Sequence, residues 1–211
     1  MKRPGIGSLG IAIVLWTLWG CGGPSLNVRV TAAPMPPERE FPDKLPYALG
    51  LYLTDEFRNY RVTDSSKTLG TTYDFWNLGM ESAGMLEAGL ARVFQKLVLL
   101  EEKPPFSGTP AVPVAAVVEP AFEGFEFSVP ALVFQTWSTK VSYRVRVYDP
   151  QGRVVWEHSA TGVGNTPGSY TRTLEELGSN PSRSASQAIA NGTDRVIKAI
   201  LGSGELKSLL K

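Results

Sequence analysis

Hydrophobic and polar positions alternate most regularly over residues 133–148. Successive side chains of an extended chain point to opposite faces, so this alternation predicts a strand with one buried face. The tetrapeptide Asp149-Pro150-Gln151-Gly152 then suits a type I turn, with Pro fixing φ at the second position. We therefore predict an antiparallel hairpin whose return strand covers residues 153–160. The side chains predicted to face the core are Trp137, Val141, Tyr143, Val145 and Val147.

Two segments show the apolar spacing of amphipathic helices. The first begins at Glu81 and the second at the cap and first-turn pair Asn180-Pro181, ending at Gly202. A Gly-, Ser- and Thr-rich stretch over residues 161–180 is predicted to be a mobile loop before the second helix. The apolar positions are Leu86, Leu90, Val93, Phe94 and Leu97 in the first helix, and Ala185, Ile189, Val196, Ile197, Ile200 and Leu201 in the second.

Shorter runs of strand-forming residues complete the predicted sheet. Residues 47–53 form one run, which residues 59–63 are expected to continue, and residues 98–101 and 111–118 are further candidates. Strands that alternate with two sheet-packing helices indicate an α+β fold. We expect one antiparallel or mixed β-sheet with a long hairpin, covered by the two amphipathic helices in a two-layer arrangement.

The N-terminal residues have the pattern of an export signal. Lys2 and Arg3 are followed by an uncharged, largely apolar run over residues 6–19 that ends at Gly20-Cys21. Crossing a bilayer takes about 20 apolar residues, and this run is shorter. Residues 1–20 are therefore predicted to be a cleavable signal peptide.

Leu18-Trp19-Gly20-Cys21 resembles the lipobox of bacterial lipoproteins, with Trp19 bulkier than usual at its position. The resemblance implies that Cys21 becomes the new N-terminus and carries a diacylglyceryl group, which would hold the chain on a lipid bilayer. In this family an Asp after the cysteine typically retains the protein in the inner membrane. Gly22 at that position implies sorting to the outer membrane, facing the periplasm, if the host has two membranes.

Residues 21–45 are interpreted as the lipidated cysteine and a Pro-rich tether. Residues 22–46 hold six of the sixteen prolines, which favours an extended chain. The alternation of Leu26-Asn27-Val28-Arg29-Val30 supports another interpretation, an edge strand at 26–30 already docked in the domain. The single α+β domain is assigned to residues 46–203, and residues 204–211 to a C-terminal tail.

Composition excludes several kinds of chemistry. A single Cys and a single His cannot supply an intrachain disulfide or the usual structural zinc sites. The charges balance, with 21 Lys and Arg against 20 Asp and Glu, and no basic block is present to meet a phosphate backbone. We expect no metal, no cofactor and no nucleic acid partner. His158, on the return strand of the hairpin, is interpreted as a solvated strand residue.

Aromatic residues concentrate in the segment 119–137, and they belong either to the core or to a partner surface. A regular strand cannot place Phe122, Phe125 and Phe127 on one face without a bulge, so we expect one or more to be exposed. Arg144 and Arg146, on the polar face of the long strand, are either a solvated face or a contact for an anionic group. The possible partner surface comprises Phe122, Phe125, Phe127, Phe134 and Trp137.

These observations favour a non-enzymatic lipoprotein that acts as an accessory or assembly component of a cell-envelope complex through contacts with an envelope protein. One alternative is a periplasmic lipoprotein that binds a small apolar or glycan ligand. Another is an envelope hydrolase that uses two carboxylates as acid and base. The candidate carboxylates are Asp55, Glu56, Glu101, Glu102, Glu119, Glu123 and Glu126.

Overall fold

The computed structural model describes residues 25–31, 44–66, 70–107, 113–130, 135–168 and 174–209. They form an α+β fold in which helices pack on mixed sheets, as predicted. The strands are β1 (Ser25–Val28), β2 (Leu45–Tyr52), β3 (Val62–Ser66), β4 (Thr71–Phe75), β5 (Phe94–Leu100), β6 (Ala116–Ser128), β7 (Thr136–Tyr148) and β8 (Val154–Pro167). The helices are α1 (Asp55–Arg58), α2 (Leu78–Val93), α3 (Leu174–Gly202) and α4 (Gly204–Leu209).

The larger sheet has five strands in the order β5-β2-β6-β7-β8. β2 lies parallel to both β5 and β6, whereas β6, β7 and β8 are successively antiparallel. The predicted hairpin is confirmed: the Gly152 amide donates to the Asp149 carbonyl at 2.9 Å and closes the turn. Every β7 side chain predicted to face the core is at most 2% exposed.

A second sheet of three strands, in the order β1-β4-β3, was not predicted. β1 pairs in parallel with β4, from Ser25 opposite Thr72 to Val28 opposite Phe75. The expectation that residues 59–63 continue β2 is wrong. Helix α1, capped by the Thr54 hydroxyl that accepts from the Phe57 amide at 3.1 Å, turns the chain away after β2, and β3 pairs with β4 instead.

Helix α2 ends earlier than predicted. The backbone becomes extended at Phe94, with φ −101° and ψ 145°, so Phe94 and Leu97 belong to β5. Both residues keep their apolar role because β5 pairs with β2, where Leu45 lies opposite Phe94 and Leu49 opposite Leu97. The apolar spacing therefore continued across a change of secondary structure.

Within the region predicted as a loop at 161–180, residues 161–167 are strand and residues 174–180 are helix. β8 continues to Pro167 opposite Thr136, and α3 already begins at Leu174, with Pro181 inside it. The predicted end of this helix at Gly202 is confirmed. Residues 204–209, assigned to a tail, form α4, whose Leu206 is buried.

Glycines explain why β8 runs so far under α3. A Cβ at Gly162 would overlap the carbonyl oxygen of Ala188, and a Cβ at Gly164 would overlap that of Ser184 and lie 2.6 Å from the Ala188 amide. The helix backbone thus lies directly on the strand backbone. Composition that resembled a loop instead provides the clearance for close helix-to-sheet packing.

Asp149 fixes the hairpin turn. Its carboxylate accepts from the amides of Gln151 at 3.0 Å and Arg153 at 2.9 Å, and from Arg153 Nε at 2.7 Å. Burial acts to raise the pKa of Asp149, but the hydrogen bonds and positive charge of Arg153 outweigh it and lower that pKa. The turn is therefore held by the ionised form.

Replacement of Gly164 by Ala is expected to lower the free energy of unfolding by about 1–3 kcal/mol, because the new methyl group must push α3 off β8. Gly124→Ala is the matched control, since a Cβ at this β6 glycine meets nothing within 4 Å. Chemical denaturation of both variants measures the difference. Equal stability of the two variants would show that α3 does not lie this close to β8.

The lowered pKa of Asp149 predicts an acid-dependent stability. The contribution of the carboxylate is complete above its unfolded value of 3.8 and is lost as the pH falls through the lower folded pKa. Wild type should therefore melt above Asp149→Asn at neutral pH, and the gap should close in acid. Asp194→Asn, which removes an exposed ion pair with Lys198, is the control, expected to cost about 0.5 kcal/mol or less. A gap that widens in acid would contradict the assignment.

Candidate interaction surface

Three of the predicted site residues, Cys21, Gly22 and Phe134, lie outside the described residues. The other members of the predicted aromatic surface lie on β6 and β7. Their neighbours decide whether this segment is a surface or part of the core.

A bulge in β6 places the three phenylalanines on one face. Phe122 lies opposite Tyr143 and Gly124 opposite Ser142, so Glu123 is the extra residue. Phe122, Phe125 and Phe127 are partly buried and pack against the core. The expectation that one or more stands exposed for a partner is therefore wrong, because the bulge corrects the parity of the strand.

Ring contacts favour the alternative interpretation of the described residues as core. Phe127 lies 5.1 Å from Tyr73 and 6.0 Å from Trp137 between ring centroids, and Phe125 lies 4.9 Å from Phe75. Trp137 is only 2% exposed, so it is unavailable to a partner of the folded domain. The aromatic segment instead joins the five-stranded sheet to the three-stranded one.

Phe122, Phe125, Phe127 and Trp137 form an aromatic layer that also contacts α1. Phe57 stacks on Phe122 at 4.8 Å, and Tyr60 stacks on the same ring at 3.9 Å. Burial raises the pKa of Tyr60. Below them Tyr143 is fully buried, which raises the pKa of its hydroxyl although that group is hydrogen-bonded to Ser82 Oγ at 2.8 Å. Both tyrosines are therefore neutral at physiological pH.

Close backbone contact fixes α1 against the start of α2. The Gly79 amide donates to the Tyr60 carbonyl at 3.0 Å, and a Cβ at this position would overlap the carbonyl oxygen of Phe57. Asn77, directly before α2, is buried and binds both the amide and the carbonyl of Val30, at 2.9 and 2.6 Å. Three segments distant in sequence therefore meet at one end of the small sheet.

A surface depression of about 390 Å³ opens at this junction, which we call the basic-aromatic depression. Trp76 and Met80 are 43% and 58% exposed there, two of the four large apolar side chains that the described residues leave exposed. The Arg58 side chain is oriented by a 3.3 Å hydrogen bond that its Nε donates to the Leu53 carbonyl. The lining residues are Arg58, Asn59, Arg61, Trp76, Asn77 and Met80.

A smaller cleft of about 140 Å³ lies beside α1. Arg144 reaches it from β7 and approaches the bulge residue Glu123 at 3.8 Å. Because Glu123 already faces this guanidinium, the cleft offers little uncompensated charge. Its lining residues are Thr54, Glu56, Phe57, Tyr60, Ala121, Phe122 and Arg144.

The polar face of the hairpin pairs its charges. Arg146 Nε lies 2.5 Å from Glu157 and Lys140 lies 3.0 Å from Glu126, both in exposed positions. The ion pair with Arg146 lowers the pKa of Glu157. His158 is exposed on β8 and stacks on Trp156 at 5.4 Å. This arrangement matches the solvated-face interpretation of Arg144 and Arg146.

Four of the seven candidate carboxylates of a hydrolase make separate contacts. Glu119 accepts from the Tyr148 hydroxyl at 2.5 Å, while Glu102 accepts from Ser107 at 3.0 Å. Within the described ranges, no group of three or more His, Cys, Asp or Glu side chains is arranged to hold a metal ion. No helix in that part of the chain is long and apolar enough to cross a membrane.

Comparisons with known proteins find only remote structural likenesses. No protein-family model and no curated protein sequence matches the chain. A solved protein of the DUF330 family from Xanthomonas campestris is similar at a TM-score of 0.48 and 16% identity, over 87% of this chain and 97% of its own. A minor lipoprotein from Acinetobacter baumannii reaches 0.47 at 10% identity, over 76% of this chain and 94% of its own. Likenesses this remote carry no argument about activity or partners.

The basic-aromatic depression was not predicted from the sequence, although one signal was present. Met80 precedes Gly84, Glu87 and Ala88 on the exposed face of α2, so it is an apolar residue on the polar side of an amphipathic helix. Trp76 gave no such signal, because its exposure depends on how α1 and α2 pack together. Arg58 and Arg61 could not be placed beside them without the tertiary structure.

The two tryptophans provide a test of which aromatic surface is internal. Trp137→Ala should lower the free energy of unfolding by about 3–5 kcal/mol, since it empties a buried site between the sheets. Trp76→Ala should cost about 2 kcal/mol or less, because 43% of that side chain already faces solvent. Denaturant titration of both variants measures this. A greater loss for Trp76→Ala would reverse the assignment of core and surface.

Proposed function

We propose that this chain is a lipid-anchored protein of the bacterial cell envelope that acts as a non-enzymatic docking component. The observation that carries the proposal is the run Leu18-Trp19-Gly20-Cys21 immediately before a folded strand. Acylation of Cys21 would attach at least two hydrocarbon chains, enough for stable anchoring. Gly22 after the cysteine supports sorting to an outer membrane, with the domain facing the periplasm.

The position of β1 defines how close the domain would lie to the bilayer. Only residues 22–24 separate Cys21 from Ser25, the first residue of β1. Four extended residues cover about 14 Å at most, so the start of β1 would lie within that distance of the lipid anchor. The position of β1 therefore supports the docked-strand interpretation of this segment over the long Pro-rich tether.

Side-chain hydrogen bonds fasten the segment after β1 to the domain. Ser182 Oγ donates to the Arg29 carbonyl and Ser186 Oγ to the Thr31 carbonyl, both at 2.5 Å. Val28 and Val30 are fully buried beside them. Because the connection between the anchor and the core is this short, the domain would be held close to the membrane surface.

The described side chains favour docking over the two alternatives. Aromatic residues of the segment 119–137 fill space that a ligand pocket would need, with Phe127 packed on Tyr73 and Trp137 at centroid distances of 5.1 and 6.0 Å. Four of the seven candidate carboxylates engage separate partners, whereas the exposed Trp76 and Met80 are available for contact. An apolar pair rimmed by arginines has the composition of a protein interface.

The anchor is tested by Cys21→Ser expressed in a Gram-negative host. The precursor of this variant should not be cleaved by the lipoprotein route, and the protein should be lost from the detergent-extractable membrane fraction. Mass spectrometry of wild type should find Cys21 at the N-terminus with its thioether-linked diacylglyceryl group. Trp19→Ala is the matched control, because it changes the lipobox but keeps the cysteine, and it should remain acylated. A bare thiol on mature wild type would refute the proposal.

A further inference from the structure

We infer that the basic-aromatic depression is the docking site itself, and that it binds a segment of a partner protein in which acidic residues are adjacent to an apolar residue. This inference rests on the docking function proposed above and identifies the chemistry of the partner. Four observations carry it: the charge of the lining, its exposed apolar surface, its rigidity and its position relative to the anchor.

The lining carries two guanidinium groups and no carboxylate. Within the described residues Arg61 takes part in no ion pair, and Arg58 is held in place by a neutral carbonyl, that of Leu53. The arginines of the hairpin, in contrast, face Glu123 and Glu157. An arginine that forms no ion pair with the described carboxylates is suited to a bidentate bond with a carboxylate of a partner.

Apolar groups lie directly beside these charges. Trp76 and Met80 together form the apolar part of the lining, with Trp76 43% and Met80 58% exposed. Exposed Trp and Arg are the residue types that most often contribute the binding energy of protein interfaces. Met adapts its shape to the apolar side chain that it meets. An occupant with carboxylates alone would leave this part of the surface in water.

The depression is rigid before anything binds. Phe57 anchors α1 in the aromatic layer, Gly79 brings the carbonyls of α1 against α2, and Asn77 is tied to Val30. The backbone of the lining therefore loses little conformational freedom on binding, which favours affinity.

The position of the depression argues against the anchoring bilayer as its occupant. β1 runs parallel to β4 from Ser25, beside Thr72, towards Val28, beside Phe75. Trp76 follows Phe75, so it lies about 13 Å along β4 from the end that is closest to the anchor. A surface at the far end of the strand pair is presented to proteins in the aqueous compartment.

The test is fluorine NMR of the lipidated protein, labelled with fluorinated tryptophan, in zwitterionic nanodiscs. Of the five tryptophans, Trp16 and Trp19 precede Cys21, so the processed chain shows only Trp76, Trp137 and Trp156, assigned by single Trp→Phe variants. The probes are a short blocked peptide that alternates Glu and Leu, and matched peptides with Lys or Gln in place of Glu. Signals from Trp16 and Trp19 would reveal failed processing, which contradicts the proposed anchor independently of docking.

The Glu-Leu peptide should shift the Trp76 signal saturably and leave the buried Trp137 signal in place. Arg61→Gln should weaken binding by about tenfold, as expected for loss of a charge-assisted bond, and Arg61→Glu should make the Lys-Leu peptide the better ligand. Arg183→Gln removes an exposed arginine from α3 outside the lining and should bind as wild type does.

Other outcomes would overturn the inference. An equal response to the Lys-Leu peptide, or no saturable shift with any peptide, would show that the depression does not bind an acidic partner segment. A Trp76 shift produced by anionic phosphatidylglycerol nanodiscs without peptide would make a lipid surface the occupant. A shift that depends only on the number of protein copies in each disc would make it a second copy of this chain.

Discussion

The fold depends on one extra residue in β6. Glu123 interrupts the pairing of β6 with β7 and returns Phe125 and Phe127 to the face that Phe122 occupies. Without that bulge, the phenylalanines on either side of it would point to opposite faces, and the layer between the two sheets would lose part of its aromatic packing. A local backbone irregularity thus allows the small sheet and α1 to be attached to the long hairpin. The rigidity of the basic-aromatic depression follows from this attachment, since Phe57 and Tyr60 stack on Phe122.

Close backbone contact attaches α3 at the β8 edge of the five-stranded sheet. α3 lies on β8 where glycines remove the side chains, and Gly192 of the helix faces Tyr143 in the same way. This close approach allows α3 to contact both β7 and β8 along much of its length. Ser184 of α3 is hydrogen-bonded to Thr139 of β7 at 2.8 Å. Small residues are therefore concentrated here for packing, although the same composition is typical of loops.

Pattern in the sequence predicted what depends on local geometry. The alternation of β7, the Asp149–Gly152 turn and the apolar stripe of α2 gave the hairpin and the two sheet-packing helices, since each period is a property of its own segment. It did not give the second sheet, the bulge or the full length of β8, because these are decided by pairing and contact between distant residues. The candidate site followed the same rule. Its residues come from α1, α2 and the turns beside them, and no local period reports how such elements meet.

The parallel pairing of β1 with β4 has a mechanical consequence. A pull on the N-terminal side of Ser25, opposed by a load at Trp76 beyond the other end of β4, acts along the direction of both strands. Their interstrand hydrogen bonds then resist together in shear, whereas a pull across the strands would break them one after another. The hydrogen bonds that Asn77 and the serines of α3 make with residues 29–31 add to that resistance. A chain fastened at one end and loaded at the other would transmit tension through its core without first unravelling a linker.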